Sequence, residues 1–282
     1  MAWLFSYFLF GFLYLCICLQ KCSYVFVKML LLCKNVYICK NITRIRMYPT
    51  KKLICFDLDG TLSQHKSHMP QANKDLLKRL DAKYKLIMVG AGNAPRIYNQ
   101  MEQFPIDIIG NYGMQESAIV DGEFKIIRED TSYPDKEYFN KTCQYIREKY
   151  GYTEYTGGHL EFHASGMVTF CLIGSGAKVE DKVVFDPDRS KRRLFYDEVC
   201  SLFPDYVVYI GGSSSFDFAP KQYNKYDAIM KYASEHGYKE EEILFIGDDF
   251  GDGGGDSHVR IKGMDYIQVD DYRNLPEILS FL

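Results

Sequence analysis

The chain has 282 residues, of which 47% are hydrophobic and 25% charged, and its formal net charge is −3. This length allows one large domain or two smaller ones, and the composition is that of a globular protein. No strongly basic domain is present, so we expect no nucleic-acid partner.

Residues 1–46 differ from the rest of the chain. They contain no acidic residue, six basic residues and five of the nine cysteines. The apolar run over residues 2–19 is just long enough to span a bilayer, and the basic residues after it favour a cytoplasmic C-terminal side. The alternative is a misassigned start, with a cytoplasmic protein beginning near Met47. Both interpretations place this segment outside the fold.

The first predicted strand, residues 53–56, ends at two carboxylates, Asp57 and Asp59, before Gly60 and Thr61. Short apolar runs of this kind are typical of buried parallel strands, whose carboxyl ends border the ligand crevice. Two adjacent carboxylates would repel each other there, and a bound Mg²⁺ would remove that cost. We therefore predict that Asp57 and Asp59 hold Mg²⁺ at a crevice mouth.

Strands and helices alternate over the next 60 or so residues. A helix is predicted around residues 72–80, and buried strands over 85–89 and 107–109. The first of these strands ends at the turn 90–93, and a hairpin follows over 117–127. This alternation predicts a doubly wound α/β fold with a parallel sheet.

The alternation breaks between residues 133 and 219. Helices are predicted over residues 138–150 and 190–202, with strands in 158–175, 206–210 and 215–219. We predict that this β-rich block is an inserted α+β cap domain, because the α/β pattern resumes afterwards. The core domain would then comprise residues 47–132 and 220–282.

A second acidic cluster follows the predicted strand 243–246. Parallel strands end at one edge of the sheet, so this cluster should lie beside Asp57. We expect Asp248 to be a further carboxylate on the cation, and Asp256 to help from behind it or through water. The spacing does not fit an EF-hand calcium loop. Asp249 and Asp252 are interpreted as solvated turn residues.

The motif at residues 57–61, with its downstream acidic cluster, resembles the haloacid dehalogenase superfamily of phosphotransferases. The resemblance implies a Rossmann-like α/β core with an inserted cap, a nucleophilic Asp57 that becomes an aspartyl-phosphate, and Asp59 as acid and base. It also implies that Lys225, near a helix start, bridges the nucleophile and the phosphoryl group. Lys221 is a rival for this role.

Residues 51–282 resemble the eukaryotic-type phosphomannomutases, most clearly in the stretch 210–220 and its spacing to Lys225. Further similar segments include 161–162 and 172–174. The resemblance implies a phosphorylated-sugar substrate, and it leaves open a homodimer formed through the cap. The residues that it places at the substrate are Asn111, Ser215 and Asp217.

The sequence departs from that family at the residues that hold phosphate. Two cap arginines are replaced by His163 and Ser175, and neither supplies a permanent bidentate charge. The usual Ser or Thr that donates to the phosphoryl oxygen is replaced by Gly92 or Asn93; Asn93 could donate from its amide, and Gly92 only from its backbone. A clamp built from the arginines at 189, 192 and 193 is an alternative, although such a helix face is more often solvated.

These losses weaken binding of a second phosphate more than transfer of the first. We therefore predict Mg²⁺-dependent hydrolysis of a sugar phosphate or a similar phosphomonoester. One alternative is phosphomannomutase activity, which interconverts mannose 1-phosphate and mannose 6-phosphate. Another is a non-catalytic sugar-phosphate-binding protein, although retention of Asp57, Asp59, Lys225 and Asp248 argues against it.

Overall fold

The structure is a computed structural model that describes residues 48, 50–65 and 67–282. The predicted membrane span at residues 2–19 lies outside the described residues. Within the described part of the chain, no helix is both long and apolar enough to cross a bilayer. The elements below all lie in the compact unit Thr50–Ser280.

The eleven strands in the described residues form two sheets. In chain order they are β1 (Leu53–Phe56), β2 (Lys85–Val89), β3 (Asp107–Gly110), β4 (Gln115–Val120), β5 (Glu123–Glu129), β6 (Leu160–Phe162), β7 (Val168–Cys171), β8 (Tyr206–Tyr209), β9 (Ser215–Pro220), β10 (Ile243–Gly247) and β11 (Tyr266–Gln268). The α-helices are Gln71–Asp81, Ala94–Gln100, Lys136–Tyr150, Val179–Phe185, Ser190–Arg193, Tyr196–Leu202, Lys225–Glu235, Ser257–Lys262 and Leu275–Ile278.

The core sheet has the order β11-β10-β1-β2-β3-β4-β5, with the first five strands parallel and β4 and β5 antiparallel. All four residues of β1 are fully buried, as expected where helices cover both faces of a parallel sheet. Phe56, at the end of β1, pairs with Met88 of β2 and Ile246 of β10. These three strands therefore end at one level, and the residues after them share an edge.

The second sheet is antiparallel, in the order β6-β7-β9-β8, and lies in the segment inserted between β5 and β10. Its core is aromatic, with Phe139 of the helix Lys136–Tyr150 packed against Phe203 and Phe218. The predicted fold class, a Rossmann-like α/β core with an inserted α+β cap, is confirmed. The bounds 133 and 219 stay a prediction.

One helix prediction in the cap was wrong in detail, and one helix there was missed. The helix predicted over 190–202 is two helices, because Phe195 leaves the helical conformation and stacks on Tyr150 at a ring-centroid distance of 4.3 Å. The helix Val179–Phe185 was not predicted at all. None of its residues is buried, and its three valines, at positions 179, 183 and 184, are exposed.

Candidate active site

Acidic side chains gather at the carboxyl edge of the core sheet. The backbone N–H of Asp57 donates to the carbonyl of Ile246 at 2.9 Å, which extends the parallel pairing and fixes Asp57 at the strand end. Oxygen atoms of Asp57, Asp248 and Asp256 all lie within 4.8 Å of one another. The sequence prediction that the two acidic clusters meet at one edge agrees with this geometry.

Lys225 lies inside this cluster. Its Nζ donates to Asp57 Oδ1 at 2.5 Å and to Asp256 Oδ1 at 2.6 Å. The position is set by the helix start, where the Asn224 side chain accepts from the N–H of Asp227 at 3.0 Å. Lys221 is exposed on the preceding turn. The structure thus brings Lys225, and not its rival, into contact with Asp57.

Burial and charge act in opposite directions on this pair. Burial disfavours the ammonium of Lys225, but the carboxylates of Asp256 and Asp57 outweigh it, so the pKa of Lys225 is raised and the group stays charged. Burial also raises the pKa of Asp57 well above its ordinary value, against the opposing charge of Lys225. Ionised Asp57 is therefore costly unless further positive charge is present.

Asp256 shapes the loop that carries Asp248. Its Oδ2 accepts from the backbone N–H groups of Asp248 and Asp249, at 3.1 and 3.0 Å, while Oδ1 accepts from Lys225. A Cβ on Gly247 would lie 2.3 Å from this Oδ2, so only glycine fits there. Both oxygens of Asp256 are occupied by protein donors, which suits the supporting role predicted for it.

Asp248 faces the turn after β1. Its Oδ1 accepts from the Thr61 hydroxyl at 3.1 Å. Gly60 has a φ of +100°, and a Cβ there would lie 2.4 Å from Asp248 Oδ2, so the turn needs glycine for both backbone and space. Burial and the charge of Asp256 raise the pKa of Asp248 to about 6.

The cluster has the chemistry of a divalent cation site. Three carboxylates face one ammonium, which leaves two negative charges in a largely buried space. Hard cations such as Mg²⁺ prefer oxygen ligands of this kind and would neutralise that charge. Asp57 and Asp248 would hold the ion, with Asp256 behind them.

The side chain of Asp59 lies apart from this carboxylate set. Its Oδ2 accepts from Arg96 Nη2 at 3.2 Å and its Oδ1 from Gln100 Nε2 at 2.7 Å, both on the helix Ala94–Gln100. The prediction placed Asp59 beside Asp57 as a cation ligand, but the turn at Gly60 directs its carboxylate toward that helix instead. Both oxygens of this carboxylate therefore accept from side-chain donors of one helix, which favours its ionised form.

The residues predicted around the phosphoryl group differ in their freedom to bind it. Asn93 caps the helix, since its Oδ1 accepts from the N–H of Arg96 at 2.9 Å. Gly92 lies beside the Arg96 guanidinium. Asn111 has a φ of +51°, and its backbone N–H donates to the carbonyl of Gly92 at 2.8 Å.

Two of the predicted cap residues, His163 and Asp217, are linked by a series of hydrogen bonds, and the other two, Ser215 and Ser175, make separate contacts. His163 Nε2 lies 2.9 Å from Thr169 Oγ1, and that hydroxyl donates to Asp217 Oδ1 at 2.7 Å. Burial raises the pKa of Asp217. The hydroxyl of Ser215 donates to the carbonyl of Gly211 at 3.1 Å, and the carbonyl of Ser175 accepts from Lys182.

All four arginines of the predicted cap already donate to protein groups. Arg147 and Arg192 are fully buried and bind main-chain carbonyls, and Arg192 also pairs with Asp186 at 2.8 Å. Arg193 donates weakly to the carbonyl of Asp188. Arg189 pairs with Asp249 of the acidic loop. Asp249 is thus an ion-pair partner rather than only a solvated turn residue.

The cap contacts the core beside the acidic loop. Tyr209 of β8 stacks on Tyr112, which follows β3, with ring centroids 4.1 Å apart and planes 4° from parallel. The N–H of Ile210 donates to the carbonyl of Gly253 at 2.8 Å. Burial raises the pKa of Tyr112 well above its ordinary value, and the charges of Asp217 and Asp57 add to this. These contacts join the cap to the core next to the loop that carries Asp248.

Four residues of the site were not found from the sequence: Arg96, Gln100, Tyr112 and Thr169. Arg96 and Gln100 are spaced i, i+4 on one helix and therefore share a face, which is a usable signal. The signal for Thr169 is weaker, because it depends on the pairing of Thr169 with Asp217 between strands β7 and β9. Nothing in the sequence pattern distinguishes Tyr112 from the other 22 tyrosines.

Replacing Asp248 by Asn should raise the Mg²⁺ concentration needed for half-maximal activity by at least about 10-fold, because the amide keeps one oxygen but loses the charge. A Mg²⁺ titration of phosphoryl-transfer activity measures this. Asp252→Asn is the control, since that side chain is exposed on the same loop and pairs with Arg260. An unchanged requirement in Asp248→Asn would exclude Asp248 as a ligand.

Comparison with known proteins identifies the family. The sequence model of the eukaryotic phosphomannomutases matches residues 74–264. The chain is 26% identical over 250 residues to a phosphomannomutase of Encephalitozoon cuniculi, covering 82% of this chain and 94% of that protein. It is 27% identical over 222 residues to the phosphomannomutase of Saccharomyces cerevisiae, covering 73% and 84%.

Solved structures support the fold. An IMP-bound IMP-nucleotidase of Plasmodium falciparum superposes with a TM-score of 0.59 at 14% identity, covering 86% of this chain and 70% of that one. A haloacid dehalogenase superfamily phosphatase of Bacteroides thetaiotaomicron gives 0.54 at 16%, covering 82% and 94%. Since the family model spans well over half of the sequence, this chain belongs to the eukaryotic phosphomannomutase family.

Proposed function

We propose that this chain transfers a phosphoryl group from a phosphorylated sugar to Asp57, and that its overall reaction is the interconversion of mannose 1-phosphate and mannose 6-phosphate. The observation that supports phosphoryl transfer is the buried cluster of Asp57, Lys225, Asp248 and Asp256 at the carboxyl edge of the sheet. The named relatives support the mutase reaction, because they cover most of the chain.

Each residue then has a definite task. An oxygen of Asp57 attacks phosphorus in line, the bond from phosphorus to the sugar oxygen breaks, and protonated Asp59 gives that oxygen its proton. Lys225 holds the attacking carboxylate and offsets charge on the phosphoryl oxygens. In the second half, Asp59 takes the proton of a hydroxyl on a sugar monophosphate, and that oxygen attacks phosphorus and releases Asp57. The sugar bisphosphate so formed returns its other phosphoryl group to Asp57, which leaves the isomeric monophosphate. Mg²⁺, when bound, neutralises charge that develops on the phosphoryl oxygens.

In this proposal the cap keeps bulk water out of the active site. Its contacts to the core, the Tyr112–Tyr209 stack and the Arg189–Asp249 ion pair, cover the acidic edge. A closed site keeps the aspartyl-phosphate away from bulk water until a sugar hydroxyl arrives. The chain His163–Thr169–Asp217 presents polar groups that suit sugar hydroxyls. This face would select a sugar over an apolar phosphomonoester.

Hydrolysis is a second candidate. It is favoured because the cap offers no arginine at the two positions where the family binds the second phosphate. A mutase must retain a sugar bisphosphate, which calls for a cation at the phosphate that is not reacting. Positions 163 and 175 carry no guanidinium, and the buried Arg147 and Arg192 are bound to main-chain carbonyls. Water would then replace the second sugar hydroxyl as the acceptor from Asp57.

One assay separates the candidates. Purified protein is incubated with Mg²⁺, mannose 1-phosphate and a sugar bisphosphate activator, and mannose 6-phosphate and free phosphate are both quantified. Mannose 6-phosphate in excess over phosphate supports the mutase, and phosphate alone supports hydrolysis. Neither product, together with no phosphorylated protein by intact-mass measurement, would overturn phosphoryl transfer to this chain.

A further inference from the structure

Arg96 occupies the space of a missing side chain close to Asp59. A Cβ on Gly92 would lie 2.2 Å from Arg96 Nη2 and 2.4 Å from its Nε. Gly92 ends the turn after β2, where the sequence lacks the usual hydroxyl donor for the phosphoryl group. The guanidinium fills the volume into which a serine at position 92 would project.

The guanidinium is fixed there by a closed ring of hydrogen bonds. Arg96 Nη1 donates to Gln100 Oε1 at 3.0 Å, Arg96 Nη2 donates to Asp59 Oδ2 at 3.2 Å, and Gln100 Nε2 donates to Asp59 Oδ1 at 2.7 Å. These bonds use two of the five N–H groups of the guanidinium. The Arg96 side chain is 38% exposed, so the ring does not enclose it completely.

We propose that Arg96 binds the non-bridging oxygens of the transferring phosphoryl group, in place of the hydroxyl that Gly92 cannot supply. This inference rests on the proposed phosphoryl transfer and adds a second cation, besides Lys225, to the same group. Arginine forms bidentate, charge-assisted bonds to phosphate oxygens, which a serine hydroxyl does not. The same ring fixes the position of the Asp59 carboxylate.

The structure suggests a test by four proteins: wild type, Arg96→Ala, Gly92→Ser, and the double variant Gly92→Ser/Arg96→Ala. We expect Arg96→Ala to lower kcat/KM by about 10²-fold, the loss typical for one donor to a reacting oxygen. Gly92→Ser alone should also lower it, because the new Cβ collides with the guanidinium. In the double variant the hydroxyl enters the vacated space, and we expect at least about 10-fold recovery over Arg96→Ala.

Gly92→Ser is thus expected to lower kcat/KM in the wild type but to raise it in the Arg96→Ala protein. A purely structural role of Arg96 would not give these opposite effects. Arg273→Ala is the matched control, since Arg273 also pairs with an aspartate, Asp271 at 2.6 Å, but on the exposed surface. Retention of wild-type kcat/KM in Arg96→Ala would overturn the proposal. A loss in Arg96→Ala with no recovery in the double variant would overturn it as well.

Binding of orthovanadate, measured by calorimetry in the presence of Mg²⁺, provides a readout without turnover. We expect Arg96→Ala to bind it about 10²-fold more weakly than wild type and Arg273→Ala to match wild type. Equal affinity in Arg96→Ala overturns the proposal even if the wild type is active. If the wild type binds vanadate but transfers no phosphoryl group, the proposed function fails while the phosphate contact of Arg96 stands.

Discussion

Asp57→Asn should reduce phosphoryl transfer by about 10⁴-fold or more, the scale of loss seen when a covalent catalyst loses its nucleophile. The amide has no anionic oxygen to attack phosphorus, so no phosphorylated protein should form. Turnover is measured by product release, and the covalent step by intact-mass detection of one added phosphoryl group after mixing with substrate.

The fold should survive this change. Asparagine keeps the shape of Asp57 and can still accept from Lys225, and it removes a buried carboxylate whose pKa is raised by burial. We expect cooperative thermal unfolding as in the wild type. The surface variant Asp252→Asn should retain full activity. Wild-type turnover in Asp57→Asn would exclude Asp57 as the nucleophile.

Lys225→Met should destabilise the cation-free protein by about 3–5 kcal/mol, the usual result of removing one partner from a buried ion pair. Lys225 is 3% exposed and contacts both Asp57 and Asp256, so its loss leaves two buried carboxylates without their shared counter-charge. Activity should fall by about 10²- to 10³-fold as well, because the phosphoryl oxygens lose a fixed positive charge.

The stability loss should depend on pH and on added cation. A carboxylate whose pKa is raised in the folded state binds its proton more tightly there than in the unfolded chain, so its ionisation on raising the pH costs stability. The deficit of Lys225→Met is therefore largest at high pH and shrinks as the pH falls through the raised pKa of Asp57. Added Mg²⁺ should also reduce it.

Chemical denaturation at several pH values, with and without Mg²⁺, measures these effects. Lys221→Met is the matched control, because that lysine is four residues earlier and exposed. It should match the wild type in both stability and activity. If Lys225→Met unfolds at the wild-type denaturant concentration without cation, the buried pairing described here is wrong.

The sequence was most informative where backbone register decides the geometry. Asp57 and Asp248 both follow buried parallel strands, and parallel pairing of β1 with β10 brings their positions together without any help from side chains. Lys225 could be placed because a capped helix start fixes its first residue. These features depend on local patterns that a single sequence displays.

The rest depends on side-chain direction and on contacts between distant segments. Asp59 was expected on the cation, but the turn at Gly60 sends its carboxylate to Arg96 and Gln100. Arg192 was considered for a phosphate clamp, and only the folded cap shows that Asp186 and three main-chain carbonyls enclose it. Neither outcome follows from periodicity, since the partners are fixed by the tertiary fold.

The hydrogen bond from Ile210 to Gly253 joins the main chain of the cap to the loop that carries Asp248. If the cap parts from the core to admit the proposed sugar phosphate, that motion would stretch this link and so displace Asp248, one of the proposed cation ligands. The free energy of cap closure would then contribute to both the substrate affinity and the cation affinity. Because such coupling is reciprocal, cation binding would stabilise the closed cap by the same free energy by which cap closure strengthens cation binding.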